Sequence, residues 1–584
     1  MNMNKHPDKT SLLLGVAAMA VVLLVSGGVP APGSNPPAES PTSFIVQGES
    51  VEAVAAAVEG AGGAITHELR IIRAVAAELT PEQVSNLRDS SSLSVHVDRK
   101  AVVAGKKSGG GGHNRNFDPP PADFPVLIGA DRLHAEGIDG LGVTVAVLDT
   151  GGWAHTSLRQ DPSGRTRVLY GYDAINDQEA RESGDDSGHA THLTSIVMNS
   201  DRGTDGKFIS MAPYADRVFV EAFSGNGTGT YADVIRGLQW VVDNKDAYGI
   251  RVLNLSFSAT PQSHYWDDPL NQAVMAAWQA GIVVVASAGN TGPDAMTIGV
   301  PGNVPYVITV GAMSDAVTAS TAGDDFLASF SATGPTQEGF VKPELVAPGG
   351  HMLGTMGTSQ RIAMDHPEFS FNKRFYTMSG TSQAAAVVSG AAALILQANP
   401  ELTPDEVKYR LMATARPAVN PDGTLAYSVF QQGAGLVNVY DAVRNFGQGE
   451  DCGGDCAGNA PSANRGLDIN KDLAGVEHYG GRANQHPDGT YYLRGLEGDG
   501  YLWSDGTLQS GGYLWSDGYL WSDGYLWSDG YLWSDGYLWS DANSSGYLWS
   551  DAFSWSDGYL WSDGFLWSDS SAVPASINVW VEQE

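Results

Sequence analysis

The feature that most restricts how this chain can fold is an alternation running through residues 121–446. Five apolar, β-branched runs recur there: VTVAVLD (143–149), RVFVEA (217–222), RVLNLSF (251–257), IVVVASAG (282–289) and YVITVGA (306–312). Each is continuously apolar rather than alternating, so each reads as a strand covered on both faces. Between them lie stretches of helical spacing, YADVIRGLQWVVDN (231–244) and PLNQAVMAAWQA (269–280). Strand and helix in that rhythm predict an α/β fold, a parallel sheet with helices on both sides. Thr403-Pro404-Asp405-Glu406 is a capping box that opens a late helix.

The remaining sequence divides around this block. Lys5 and Lys9 precede an apolar run of 14 residues, Leu12 to Val25, and small residues follow. Residues 1–31 therefore read as a secretory signal peptide, because the run falls short of the ~20 residues that span a bilayer. An uncleaved anchor is the alternative. Export from a bacterium is the expectation. Residues 32–42 are a Pro- and Ser-rich linker. Residues 43–105 form a small α+β unit, with strands at 43–47, 64–69, 71–79 and 93–97 and a helix over 51–58. Its second helix is announced by Thr80-Pro81-Glu82-Gln83, a cap, a first-turn proline and a returning glutamine. GKKSGGGGHNRN (105–116) is a flexible, easily cut tether. Residues 447–500 show little periodicity and read as a linker or an irregular subdomain. Residues 501–569 repeat Tyr-Leu-Trp-Ser-Asp-Gly, and 570–584 form a tail. Trp-Ser-Asp occurs ten times in the repeat and holds ten of the 15 tryptophans. Because the period is even, an extended chain places Tyr, Trp and Asp on one face in every unit.

Composition removes some partners. Asp+Glu number 66 against 33 Lys+Arg, a net charge of −33, so a polyphosphate is repelled and nucleic-acid binding is not expected. The two cysteines, Cys452 and Cys456, cannot supply a four-cysteine metal site and are assigned no function. GNGTGTY (225–231) is glycine-rich but lacks the lysine of a phosphate-binding loop, so it reads as a loop before the helix at 231.

Three segments carry chemistry. VAVLDTGG ends a strand in Asp149, where open α/β sheets place their sites, although a turn aspartate looks the same. DDSGHATHLTSIV holds His189 and His192. They could be zinc ligands, but no glutamate base lies between them, and one base beside one locally bonded histidine is the better reading. MSGTSQAAAVVSGAAALILQ (378–397) places Ser382 at the start of a nearly uncharged helix, where outward N–H groups favour a developing oxyanion. An ordinary cap serine is the bland alternative. Together they supply a carboxylate, a base and a nucleophile, spaced by 40 and 193 residues, in the order Asp, His, Ser. VVVASAGNTGP adds Asn290, whose amide can donate to the oxyanion. NLSFS (254–258) offers an edge on which an extended peptide can pair.

On these motifs, DTGG, GHATH, AGN and SGTSQAA, residues 121–446 resemble the subtilisin-like serine proteases (subtilases, peptidase family S8) and among them an AprX-like bacterial group. RVLNLSF, KPELVAPGG (342–350) and QGAGLVNV (432–439) support the resemblance. It implies a subtilisin-like sheet and a secreted endopeptidase acting on polypeptides through Asp149, His189, Ser382 and Asn290. It also implies that Ser256, Phe257, Ser258, Ala288 and Gly289 bind substrate, and that the 225–231 loop borders the cleft. Residues 43–105 then resemble the family's ferredoxin-like pro-domain, an intramolecular inhibitor removed by autoprocessing near 105–120.

The chain departs from the family pattern at Ala190, Gln383 and Ala386, none of which removes a reacting group. Many subtilases bind calcium through an aspartate shortly after the catalytic one. Here the matching residue is Ser157, so no cofactor is required on this reading and a calcium site is unsupported. A different class stays open, a catalytically impaired surface protein that uses the repeat for adhesion. The repeat's aromatic face could meet glycan or cell envelope, its Asp column could hold calcium, or it could be a self-packing spacer.

Overall fold

The computed structural model describes residues 41–103, 121–182, 184–314, 325–420, 424–444, 463–464, 466–486, 489–493 and 576–577. The stretch read as a signal peptide, the glycine-rich tether, both cysteines, the repeat and most of the tail lie outside the described residues.

The continuous apolar runs form one nine-stranded sheet. Its order is Phe326–Leu327, Ile308–Ser314, Val283–Ser287, Ile250–Leu255, Thr144–Asp149, Asp216–Glu221, Val168–Asp173 and Gln178–Glu179, with Leu345–Pro348 also paired to Ile308–Ser314. Neighbours are parallel through the centre, and only the short strands 326–327 and 178–179 run antiparallel. Every residue of Thr144–Asp149 and Val283–Ser287 is buried, as runs without alternation require.

The helices start where the sequence marks them. Thr230 caps Tyr231–Tyr248 through a box with Asp233, Asp268 caps Pro269–Gln279, and Thr403 caps Pro404–Ala413 through Glu406. The helix Thr381–Ala398 is long and apolar enough to cross a membrane by composition, yet 89% of it is buried inside the protein. Its alanines let it lie close against the sheet strands and against the helix His189–Val197. It is the central helix of the core.

Residues 42–103 make the small α+β unit. Four antiparallel strands run in the order Ala64–Leu69, Ala74–Leu79, Thr42–Gln47, Ser94–Val97. The helices Val51–Gly60 and Pro81–Arg88 cover one face, with Val46, Val54, Val58, Val75, Leu79 and Leu87 in a core of their own. Thr80 and Gln83 complete the anticipated capping box. The other sheet face, with Ile45, Leu69, Ile72, Ala74 and Ala76, joins the main core. The unit then contributes Lys100–Val103, which pairs antiparallel with Thr228–Thr230; Ser576–Ile577 runs parallel on its other side.

Of the two readings of residues 447–500, linker or irregular subdomain, the described residues within 463–493 favour the second, because buried polar groups fasten them to the body. The carboxylate of Asp472 accepts from Tyr265 at 2.6 Å and Tyr306 at 2.9 Å, and His478 Nδ1 lies 2.7 Å from it. Asn464 Oδ1 accepts from Lys408 at 3.0 Å. Leu467, Ile469, Leu473 and Tyr479 also pack against the main core, but at spacings too irregular for a long periodic element.

Candidate active site

Asp149 ends its strand at the carboxyl edge of the sheet with no exposed surface. One oxygen, Oδ1, accepts the Thr150 amide at 2.8 Å and lies 2.7 Å from His189 Nδ1. That contact fixes the imidazole's orientation and leaves Nε2 as the nitrogen on its far side. His189 opens its helix after Gly188, whose φ of +96° belongs to the left-handed region, and a Cβ there would stand 2.8 Å from Met356 Sδ.

A residue assigned no role by sequence reasoning locks this pair. Asp185 accepts from Thr150 Oγ1 at 2.9 Å, from the Gly188 amide at 2.8 Å and from the Thr191 amide at 2.8 Å. It thereby caps the His189 helix and holds the turn after Asp149 with one carboxylate. Its place four residues ahead of His189, with Thr191 beyond, was the available signal.

The two histidines separate as anticipated. His192 Nε2 lies 3.1 Å from the Tyr376 carbonyl, and a Cβ on Gly354 would collide with the ring at 2.5 Å. Burial pushes His192 down to about 4, so it is a neutral packing residue. It shares no metal site with His189.

Ser382 begins its helix, wholly buried. Its Oγ lies 3.0 Å from the Ser256 carbonyl, and Ser256 Oγ donates back to the Ser382 carbonyl at 3.1 Å. Asn254 supports this stitch, donating to Ser256 Oγ at 2.8 Å and accepting from Ser389 at 2.9 Å. Thr381 is a second residue that sequence reasoning missed. Its amide (2.9 Å) and hydroxyl (2.8 Å) both donate to Asn290 Oδ1, and its hydroxyl accepts the Gly289 amide at 3.2 Å. With Oδ1 held twice, the Asn290 amide presents its N–H₂ end elsewhere, as an oxyanion donor needs. A threonine between glycine and serine gave no hint of this, since the contact spans 91 residues.

The anticipated substrate-binding set divides. Ser256 is bonded to Ser382, and Ser258 lies against Gly289, the residue before Asn290. Phe257 turns inward to pack on Phe223 at 5.2 Å, and Ala288 lies in a small apolar cluster with Ile298 and Ala332, so neither offers a side chain to a ligand. Gln383 is buried, and both ends of its amide lack a protein partner among the described residues.

The surroundings of Ser157 do not fit a cation. Its Oγ lies 2.9 Å from His155 Nδ1 and accepts from Arg374 Nη2 at 3.2 Å, and that guanidinium also pairs with Asp201. A fixed positive charge stands where calcium would need anionic oxygens. Among the described residues no group of three or more His, Cys, Asp or Glu is arranged to hold a metal. Elsewhere at the strand ends, burial and the neighbouring Asp173, Asp185 and Asp186 push Glu221 up to about 8.

A carboxylate bonded to an imidazole at the carboxyl edge of a parallel sheet, with a serine at a helix start and an orientated amide, defines the class of α/β serine hydrolases. The Subtilase family profile, peptidase S8, matches residues 140–435. The chain is 39% identical to serine protease AprX of Bacillus subtilis (strain 168) over 315 residues, which is 53% of this chain and 68% of AprX. It is 32% identical to subtilisin DY of Bacillus licheniformis over 321 residues, 54% of this chain and 97% of that protein. The fold is similar to fervidolysin from Fervidobacterium pennivorans, described as a keratinolytic enzyme related to subtilisin, with a TM-score of 0.53 and 22% identity. That likeness covers 69% of this chain and 61% of the other. The chain belongs to the subtilase family of serine endopeptidases.

Proposed function

We propose that this protein is a secreted bacterial endopeptidase, made as a self-inhibited precursor, in which Ser382 is the nucleophile. Ser382 Oγ attacks the peptide carbonyl while His189 takes its proton and later returns it to the leaving amine. Asp149 holds the imidazole and stabilises its charged form. Asn290 Nδ2 and the Ser382 amide hold the oxyanion. The observation that carries this reading is the 2.7 Å contact between buried His189 and Asp149, a pairing that an adhesion protein has no need to keep.

Residues 43–105 act on this reading as the inhibitor. Lys100–Val103 lies as a strand on Thr228–Thr230, in the loop expected to border the cleft. Asp98 accepts the Ala232 amide at 3.1 Å, in the first turn of the helix Tyr231–Tyr248, and Arg99 pairs with Asp268 at 3.5 Å. His189 and Ser382 have no exposed surface, as a latent enzyme requires. The 501–569 repeat is then a spacer or an envelope- or glycan-contacting tail. The test is Ser382→Ala, which should accumulate as an uncut precursor. Normal self-maturation of purified Ser382→Ala would refute autoprocessing.

A further inference from the structure

We propose that Ser258 limits the substrate residue on the acyl side of the cleaved bond to a small side chain, namely glycine, alanine or serine. This rests on the mechanism above. Because His189 protonates the leaving amine, the leaving residue lies on the histidine side. The residue carrying the attacked carbonyl lies beside Asn290.

Three backbone segments bound that side, 256–258, 288–290 and 298–300. They are tied into one frame. The Gly299 amide donates to the Ala288 carbonyl at 3.1 Å, and Ala259 and Val300 exchange two hydrogen bonds of 2.8 Å. Glycine at both 289 and 299 leaves a slot between the segments, and Ser258 occupies it. A Cβ on Gly299 would stand 2.7 Å from Ser258 Oγ and 2.8 Å from its Cβ, and a Cβ on Gly289 would stand 3.0 Å from the same Oγ. The serine side chain therefore fills the width that the two glycines create. It is 5% exposed. Behind it Ala288, Ile298 and Ala332 are packed shut, so the slot does not deepen in that direction. An aromatic or long side chain would have to displace Ser258. A methyl or hydroxymethyl group leaves it in place.

The test uses the purified full-length chain after self-processing, with its active fraction titrated by a fluorophosphonate that labels Ser382. kcat/KM is measured on peptides differing only in the residue before the cleaved bond: Ala, Ser, Leu or Phe. Ala and Ser should exceed Phe by about tenfold or more, the usual discrimination of a pocket short by a few atoms. Ser258→Gly should raise the Phe/Ala ratio about tenfold, Ser258→Ala should fall between, and Ser258→Val should depress Ala as well. A labelled enzyme that prefers Phe, with a ratio unmoved in Ser258→Gly, overturns this inference and leaves the mechanism standing. Failure of Ser382 to label at all overturns the mechanism, and this inference with it.

Discussion

The amino-terminal unit and the body that carries Ser382 are held together differently from the way each is held internally. Inside the body, the reacting groups are fixed by polar contacts that reach far along the chain. Thr381 is bonded to Asn290 across 91 residues, Asp185 to Thr150 across 35, and Ser382 to Ser256 across 126. Between the unit and the body, small side chains such as Ala74 and Ala76 meet the main core, the short strand Lys100–Val103 pairs with Thr228–Thr230, and the remaining ties are side-chain contacts. They include Gln47 to Gln272 at 2.5 Å, Ile71 to Gln239 at 3.2 Å, Asp98 to Ala232 and Arg99 to Asp268. The unit keeps its own valine- and leucine-rich core. On the proposed reading, an inhibitor that folds, docks and leaves needs that division, whereas the proposed catalytic site must not rearrange when it goes.

The comparison can be broken most sharply at Ser382. Removing the nucleophile of subtilisin costs about 10⁶ in kcat, a figure for that enzyme rather than one derived from this chain. Ser382→Ala should lose a similar factor on a peptide substrate while its unfolding midpoint stays close to wild type. A retained rate would mean that another group attacks. Asn290→Ala should lower kcat by about 10²–10³, and Thr381→Val by a smaller factor. Steady-state kinetics should show KM nearly unchanged in both, and a loss confined to KM would remove Asn290 from the oxyanion role.

His192 stands at about 4 in the folded protein against an ordinary 6.5. As pH falls from 6.5 towards 4 the unfolded chain takes up this proton first, so stability falls across that window, by about 3 kcal/mol in total. Urea unfolding on the Ser382→Ala background, which prevents self-digestion, should show that slope, and His192→Gln should flatten it. An unchanged slope would assign the acid sensitivity to other groups.

Smaller effects are expected at the boundary. Asp98→Ala should weaken inhibition by the separately added unit about tenfold, because a helix-start amide loses an anionic partner. Inhibition constants measure it, and an unaltered constant would show that the strand alone carries the docking. Smallest is Glu221→Gln. The raised carboxyl keeps its proton in the folded state after the unfolded chain has lost it, so stability declines as pH rises from 4.5 to about 8. Because this carboxyl is partly screened by solvent, only a fraction of that shift should show: glutamine should flatten the decline above pH 4.5 in urea unfolding and change nothing at pH 4.

The sheet, its helices and two capping boxes were legible because period and cap chemistry are local properties, as at 283–287, Thr80 and Thr403. Asp149, His189, Ser382 and Asn290, the residues of the proposed site, stood out because their motifs and order are local and ordered features of the sequence. What holds them did not. Thr381 and Asp185 act through contacts that exist only after folding, and neither residue type announces its partner. The 463–493 extension reads as irregular because its anchors, Asp472, Asn464 and scattered apolar residues such as Leu467, Ile469 and Leu473, follow no period. Ser258 and Gly299, 41 residues apart in sequence, could be joined only by coordinates.

The central claim is that Asp149, His189 and Ser382 act as one unit. Treating the processed chain with a fluorophosphonate and mapping the adduct by mass spectrometry tests it most directly. The account predicts a single adduct on Ser382, formed rapidly in the wild type and slowed by orders of magnitude in His189→Ala. Rapid labelling of a different residue, or labelling of Ser382 at the same rate without His189, would contradict it.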